Sequence, residues 1–410
     1  FIASFLLTPC GLVLQDAVAD AMSVEAVPRF DAEGRAIDVD TARALHTTMQ
    51  TLGRFALISG TLAVAALNIY MFAGIEDLGP DAKRATYALI YLSALSIPLV
   101  SVSGVLLAAW QKHRLRRGLR QTGLSEAEAD TLFERPGKET RANPWYFIGG
   151  AGFVALSLSI GLSDIAYGQE IIFAGSMAIV LLLMPQLVAV LPVAQARTLV
   201  GTAVIIFMFR ATPRPGDGYT WFSIDLLAFD QQFLSVLSLI TSVLTLVGMV
   251  ILRPLMAHRS IVYIVVLLTL AGGVLSLPNI GLYYGVQEVT AAMTGGIVDA
   301  RFIAILDTAI ESPLGQVAMI PMLAWIARNA PENLKATFFA VMASFTNLAL
   351  SASSLLTKYL NEVFVVTREV RDAATGQITT LADYSALGLL LITVTAVTVG
   401  LPLLTVVVIQ

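Results

Sequence analysis

Two octets of this sequence carry the same outline of chemistry. Leu14-Gln15-Asp16-Ala17-Val18-Ala19-Asp20-Ala21 and Ile305-Leu306-Asp307-Thr308-Ala309-Ile310-Glu311-Ser312 each set two carboxylates four residues apart among apolar neighbours. On a helix that spacing is one turn, so both acids of a pair share a face. Two acids on one face repel when both are ionised, and burial disfavours the charge further, so such a pair tends to hold a proton near neutral pH. A proton-coupled transporter needs that property. The plainer alternative is that the acids cap helix ends or pair with arginines across a helix interface. Recurrence in two separate segments favours function, because repeat-related helices are where transporters place substrate and coupling-ion sites.

Arg210 is the other conspicuous charge. It ends an apolar run and precedes Ala211-Thr212-Pro213, while Asp225 and Asp230 open the next run. A guanidinium stays charged at any physiological pH, so beside a cavity it must be paired, hydrated or bound to substrate. Arg210 could hold an anionic substrate, pair with Asp225, or snorkel to the interface; the expectation is that it lines a central cavity on the non-cytoplasmic side. Lys358 is expected to snorkel and Glu170 to be interfacial. Asp16, Asp20, Asp307, Glu311, Arg210 and Asp225 are thus the candidate substrate or proton-coupling residues. His46, His113 and His258 lie far apart and Cys10 is the one cysteine, so neither a metal site nor a cofactor is expected. No phosphate-binding loop, His-Glu-x-x-His or Gly-x-Ser-x-Gly motif is present, which leaves no enzymatic reaction to propose.

The elements that must position these residues follow from composition. Hydrophobic residues are 57% of the 410 and charged ones 13%, against about 45–50% and about 25% in soluble proteins. The chain is an integral membrane protein; disordered, collagenous and disulfide-stapled classes are excluded. A net charge of −4 gives no reason to expect a nucleic-acid partner. A spanning helix needs about 20 apolar residues, and eleven segments qualify: 1–27, 52–75, 84–110, 144–164, 168–193, 196–212, 219–252, 260–286, 298–328, 333–361 and 382–409. All exceed strand length, so a barrel is rejected. Pro185, Pro278, Pro313 and Pro321 interrupt several of them, and Gly149-Gly150 and Gly272-Gly273 suggest close helix packing.

Lysines and arginines set the direction. If the 28–51 connection is cytoplasmic and later loops alternate, 17 of the 25 basic residues fall inside and 5 outside. The C-terminus is then cytoplasmic. Lys112-His113-Arg114-Leu115-Arg116-Arg117 reads as a positive-inside cluster after a span rather than a nucleic-acid or lipid patch, and Ser125-Glu126-Ala127-Glu128 predicts a short cytoplasmic helix over 125–135. The chain opens Phe1-Ile2-Ala3-Ser4 inside an apolar run, which reads as a fragment of a longer chain.

The run from 205 to 361 resembles the folate–biopterin transporter family of the major facilitator superfamily. The resemblance is carried by Arg210-Ala211-Thr212-Pro213, Tyr219-Thr220-Trp221-Phe222, Leu227-Ala228-Phe229, Asp307, Gly315-Gln316, Met319-Ile320-Pro321, Thr337-Phe338-Phe339-Ala340 and Ser344-Phe345-Thr346-Asn347-Leu348. Asp16-x-x-x-Asp20 with Glu25 resembles the family's fourth-helix signature. The family's glutamine is replaced by Arg210, and Lys335 stands where a glutamate is typical. The resemblance implies an all-α membrane protein with the major-facilitator two-bundle fold. Residues 1–110 would then be the remainder of the N-terminal bundle (family helices four to six), 111–143 a basic cytoplasmic loop, 144–193 an extra transmembrane hairpin with Asp164 near its turn, and 194–410 the C-terminal bundle. Helices one to three would be missing from this chain.

Two functions are open at this level. The first is a secondary transporter of a small organic anion, folate- or pterin-like by resemblance, coupled to protons and working by alternating access in a plasma or bacterial inner membrane. The second is a non-transporting membrane scaffold that keeps the fold and docks partners. Residues 144–193 are expected to pack outside the two bundles, where they can contact lipid or another protein, and to contribute to a partner or self-association surface.

Overall fold

The computed structural model describes residues 11–12, 15–16, 18–19, 22, 27, 37–72, 79–121, 143–163, 165–189, 191–315, 317–329, 335–372 and 377–409. The chain divides into two compact units, residues 1–55 with 142–410, and residues 56–141. Asp20, Glu25, Asp164, Gln316, the expected helix at 125–135 and most of the expected span at 1–27 lie outside the described residues.

Helix α1 covers Val39–Phe72 and divides between the units at residue 55. The smaller unit adds α2, Pro80–Ala94, and α3, Ser96–Gln121, which pack on each other. α3 runs past the expected end at residue 110 and carries the basic cluster on a helix, with the Arg114 guanidinium stacked on Trp110. Lysine and arginine are good helix formers, so the apolar-to-basic change marks where hydrophobicity stops and not where the helix stops.

The larger unit is built from α4 (Pro144–Gly161), α5 (Gly168–Val188), α6 (Val193–Arg210), α7 (Asp217–Asp225), α8 (Gln231–Ile251), α9 (Arg253–His258), α10 (Ile261–Leu275), α11 (Leu277–Tyr283), α12 (Val286–Met293), α13 (Ala300–Glu311), α14 (Met319–Asn329), α15 (Lys335–Val363) and α16 (Leu387–Ile409). Local chemistry starts several of them: Asn143, Asp230, Ser260 and Asp299 each accept a hydrogen bond from a first-turn backbone N–H, which satisfies one otherwise orphaned donor. The main core joins Leu187 of α5, Leu199 and Ile206 of α6, Val265 of α10, Ile326 of α14 and Phe338 of α15. A second cluster centres on Phe222, Leu387 and Leu390.

Among the described residues, eight helical spans are long and apolar enough to cross a membrane, with Val236–Ile251 as a shorter apolar helix. Three expected spans are interrupted. Segment 219–252 is not one helix, because Ala228 adopts a left-handed backbone (φ 53°) and Asp230 caps a new helix. Segment 260–286 breaks at Ser276, and α11 follows with Pro278 in its first turn. Segment 298–328 breaks into α13, a 3-10 turn at Ser312–Leu314 and α14. Proline lacks the N–H that would continue the ladder, and here neighbours take up the freed groups: Thr245 of α8 donates to the Ser312 carbonyl at 3.0 Å. Gly248 sits against the same turn, and a Cβ there would lie 2.4 Å from Pro313 Cα.

Residues 144–193 form a helix pair. α4 packs on α5, and α5 packs on α15. Leu183 fills the space that a side chain on Gly149 would need. α4 buries no residue, whereas α5 buries Ser176, Val180 and Leu187. The 362–381 connection contains a small antiparallel hairpin, β1 (Val370–Arg371) with β2 (Ile378–Thr380).

Candidate functional site

A cavity of about 560 Å³ opens among α6, α10, α13 and α14, within the range of about 300–1,000 Å³ that small-molecule sites occupy. Its walls are apolar at Phe209, Ile264, Leu268 and Met322, and four charged residues line it: Arg54, Arg210, Arg214 and Glu311. Each is placed by a local feature. Arg210 is the last residue of α6, and Arg214 follows in the Pro-rich link to α7, where its N–H donates to Thr357 Oγ1 at 2.9 Å. Glu311 ends α13 immediately before the proline turn. Arg54 comes from the part of α1 that belongs to this unit.

The electrostatics are unbalanced. Arg210 feels the repulsion of both Arg54 and Arg214. Its Nη1 donates to Met319 Sδ at 2.9 Å, and its Nε is buried with no partner. A thioether is a weak acceptor, so this guanidinium is poorly satisfied. Among the described residues, no carboxylate stands within ion-pair distance of Arg54, Arg210 or Arg214. Three cations and one carboxylate in one cavity suit an anionic guest.

Asp307 stands one turn before Glu311 but in different surroundings. It is buried at 9% exposure. Its Oδ2 accepts from Asn279 Nδ2 at 3.2 Å, and Asn279 Oδ1 accepts from the Tyr219 hydroxyl at 2.6 Å. Oδ1 of Asp307 has no partner. The network joins α7, α11 and α13, whereas Glu311 is exposed to the cavity. Asp16 lies on a helical stretch and is exposed.

The considered Arg210–Asp225 pair does not form. Asp225 lies at the far end of α7, and its carboxylate takes a two-point bond from Arg368 (2.7 and 3.0 Å) and one from the Tyr384 hydroxyl at 2.6 Å. The nine residues of α7 carry it away from Arg210 and toward the 362–381 connection. Arg368 and then Tyr384 hold the Asp225 carboxyl below its ordinary range. Burial, reinforced by Asp225, pushes the Tyr384 hydroxyl up to about 12. Lys358 pairs with Glu170 at 2.8 Å, joined by the Tyr359 hydroxyl, and so ties α15 to α5 rather than serving the cavity. Reading the sequence missed Arg54 and Arg214, which counted only as topological charges, and missed Asn279, which is neutral and carried no signal of its own; Tyr219 entered only as part of the aromatic cluster that carries the resemblance.

A family model described as the BT1 family matches residues 84–410. The chain belongs to the BT1 family. The membership bears out the resemblance carried by residues 205–361 and the multi-pass, all-α, major-facilitator-like class. Among curated relatives of this BT1 family member, the "Folate-biopterin transporter" of Synechocystis sp. is 29% identical over 168 residues, 40% of this chain and 33% of that protein. The "Putative folate transporter 2" of Plasmodium berghei is 24% identical over 174 residues, 40% of this chain and 36% of that protein. The aligned region thus spans about a third of each relative. No solved structure matches the chain significantly.

Proposed function

We propose that this BT1 family member is a secondary transporter of a small organic anion of the folate or pterin class, and not an enzyme. The observation that carries the reading is the cavity where Arg54, Arg210 and Arg214 meet a single carboxylate, Glu311. Guanidiniums bind carboxylates through charge-assisted, two-point hydrogen bonds, and the relatives' names supply the ligand class. Alternating access would expose this cavity to each side in turn, and Asp307, buried in polar company, is the proposed proton carrier. The charge distribution supports a cytoplasmic side for the basic residues that follow residue 110 and for the C-terminus.

The test is uptake of radiolabelled folate into proteoliposomes holding the purified chain, with and without an imposed inward proton gradient. Gradient-stimulated uptake that unlabelled folate competes away supports the reading. A correctly folded protein that takes up no folate in either condition rejects it and leaves the scaffold alternative, for which the apolar α4–α5 pair would be the docking face.

A further inference from the structure

We propose that the cavity reads its ligand from two chemically opposite ends: Glu311 accepts from the N–H edge of an amino-substituted heterocycle, while Arg54, Arg210 and Arg214 hold a carboxylate. This rests on the transporter reading of the same cavity and goes further, by giving Glu311 a role in specificity.

The starting point is that Glu311 is not consumed by the arginines. All four residues line one cavity, yet among the described residues no ion pair joins Glu311 to any of the three. An ionised carboxylate is acceptor-only, with two oxygens suited to two parallel N–H donors. A ring N–H beside an exocyclic amino group presents that fork, as the pteridine part of folate or biopterin does. The arginines offer the reverse. Arg210 lines the cavity with no carboxylate within ion-pair distance among the described residues and with Nη1 on the Met319 sulfur, so a ligand carboxylate would supply an acceptor that the guanidinium lacks. Phe209, Leu268 and Leu314 give apolar surface for a flat ring. A ligand with both ends satisfies both groups; a ligand with one end displaces water from the other group without replacing its partner, which is how a polar site discriminates between analogues.

The test measures equilibrium binding to the purified full chain in nanodiscs with folate (both ends), biopterin (the heterocycle without a carboxylate) and p-aminobenzoylglutamate (carboxylates without the pteridine). Glu311→Gln should raise the Kd for folate and biopterin by about tenfold or more, the loss of a charged hydrogen-bond pair, and leave p-aminobenzoylglutamate unchanged or tighter. Arg210→Gln should do the opposite, weakening folate and p-aminobenzoylglutamate while sparing biopterin. Glu311→Asp keeps both oxygens and should restore part of the biopterin affinity, which separates recognition from misfolding. Equal loss of all three ligands in Glu311→Gln without rescue by aspartate, or no change in any, overturns the two-ended site. A wild-type chain that binds none of the three overturns the transporter reading instead.

Discussion

Asp307 and Glu311, one helical turn apart on α13, open onto different surroundings. Asp307 is buried beside Asn279, and Glu311 faces the cavity that holds Arg210. Both acids lie on one face of the unbroken α13, but at different depths along it. The 3-10 turn Ser312–Leu314 follows directly after Glu311, and Leu314, Gly315 and Ala318 line the same cavity as Glu311.

Asp307→Asn should abolish gradient-driven uptake while leaving counterflow exchange of labelled for unlabelled folate largely intact. The amide keeps the volume and an acceptor for Asn279 but cannot gain and lose a proton. Equal loss of uptake and exchange in the proteoliposome assay would mean that Asp307 serves binding or folding instead.

Gly248→Ala should destabilise the larger unit. The added Cβ would lie 2.4 Å from both Cα and O of Pro313, so α8 must withdraw and the Thr245 bond to the Ser312 carbonyl must stretch. Overpacking of this kind costs about 1–3 kcal/mol, read as a lowered melting temperature in detergent. Gly400→Ala, where no atom lies within 4 Å of the new Cβ, is the control and should leave melting unchanged or raise it, since alanine favours the helix over glycine.

The Asp225–Arg368 pair should contribute stability with a definite pH dependence. The Asp225 carboxyl is held below its ordinary value of 3.8, first by Arg368 and then by Tyr384. A depressed carboxylate stabilises the fold above its unfolded value and loses that contribution as pH falls through the folded one. Asp225→Asn should therefore melt lower than wild type by a constant amount from neutral pH down to about pH 5, and the gap should close below 3.8. A gap that is already closed at neutral pH would show that Arg368 gains nothing from this partner.

Leu187→Ala in α5 should cost about 2–5 kcal/mol, as for other fully buried leucines, because Leu187 is 0% exposed in the core shared with α6 and α15. Phe147→Ala in α4 should cost less than about 0.5 kcal/mol, since that ring is 70% exposed. Thermal melts of both variants check the contrast. A large effect of Phe147→Ala would mean that α4 is covered by protein rather than lipid.

The sequence by itself determined the solvent, the class and the general place of the chemistry. Apolar runs of spanning length leave only helices viable in lipid, because every backbone group there must be satisfied within its own segment. That condition is local, so spacing and composition reveal it. The same locality made Asp307 with Glu311 and the lone Arg210 visible as charges where hydrophobicity dominates. Tertiary structure decided how those charges are used. Arg54 joins Arg210 from a distant part of the chain, Tyr219 reaches Asp307 only through Asn279, and Asp225 turns from Arg210 to Arg368 because α7 ends at Asp225 and a new helix begins after Asp230. These partnerships depend on where helices break and which faces meet, and both are settled by packing between residues far apart in sequence: Gly248 admits the Pro313 turn, and Leu314 of that turn lines the cavity with Glu311.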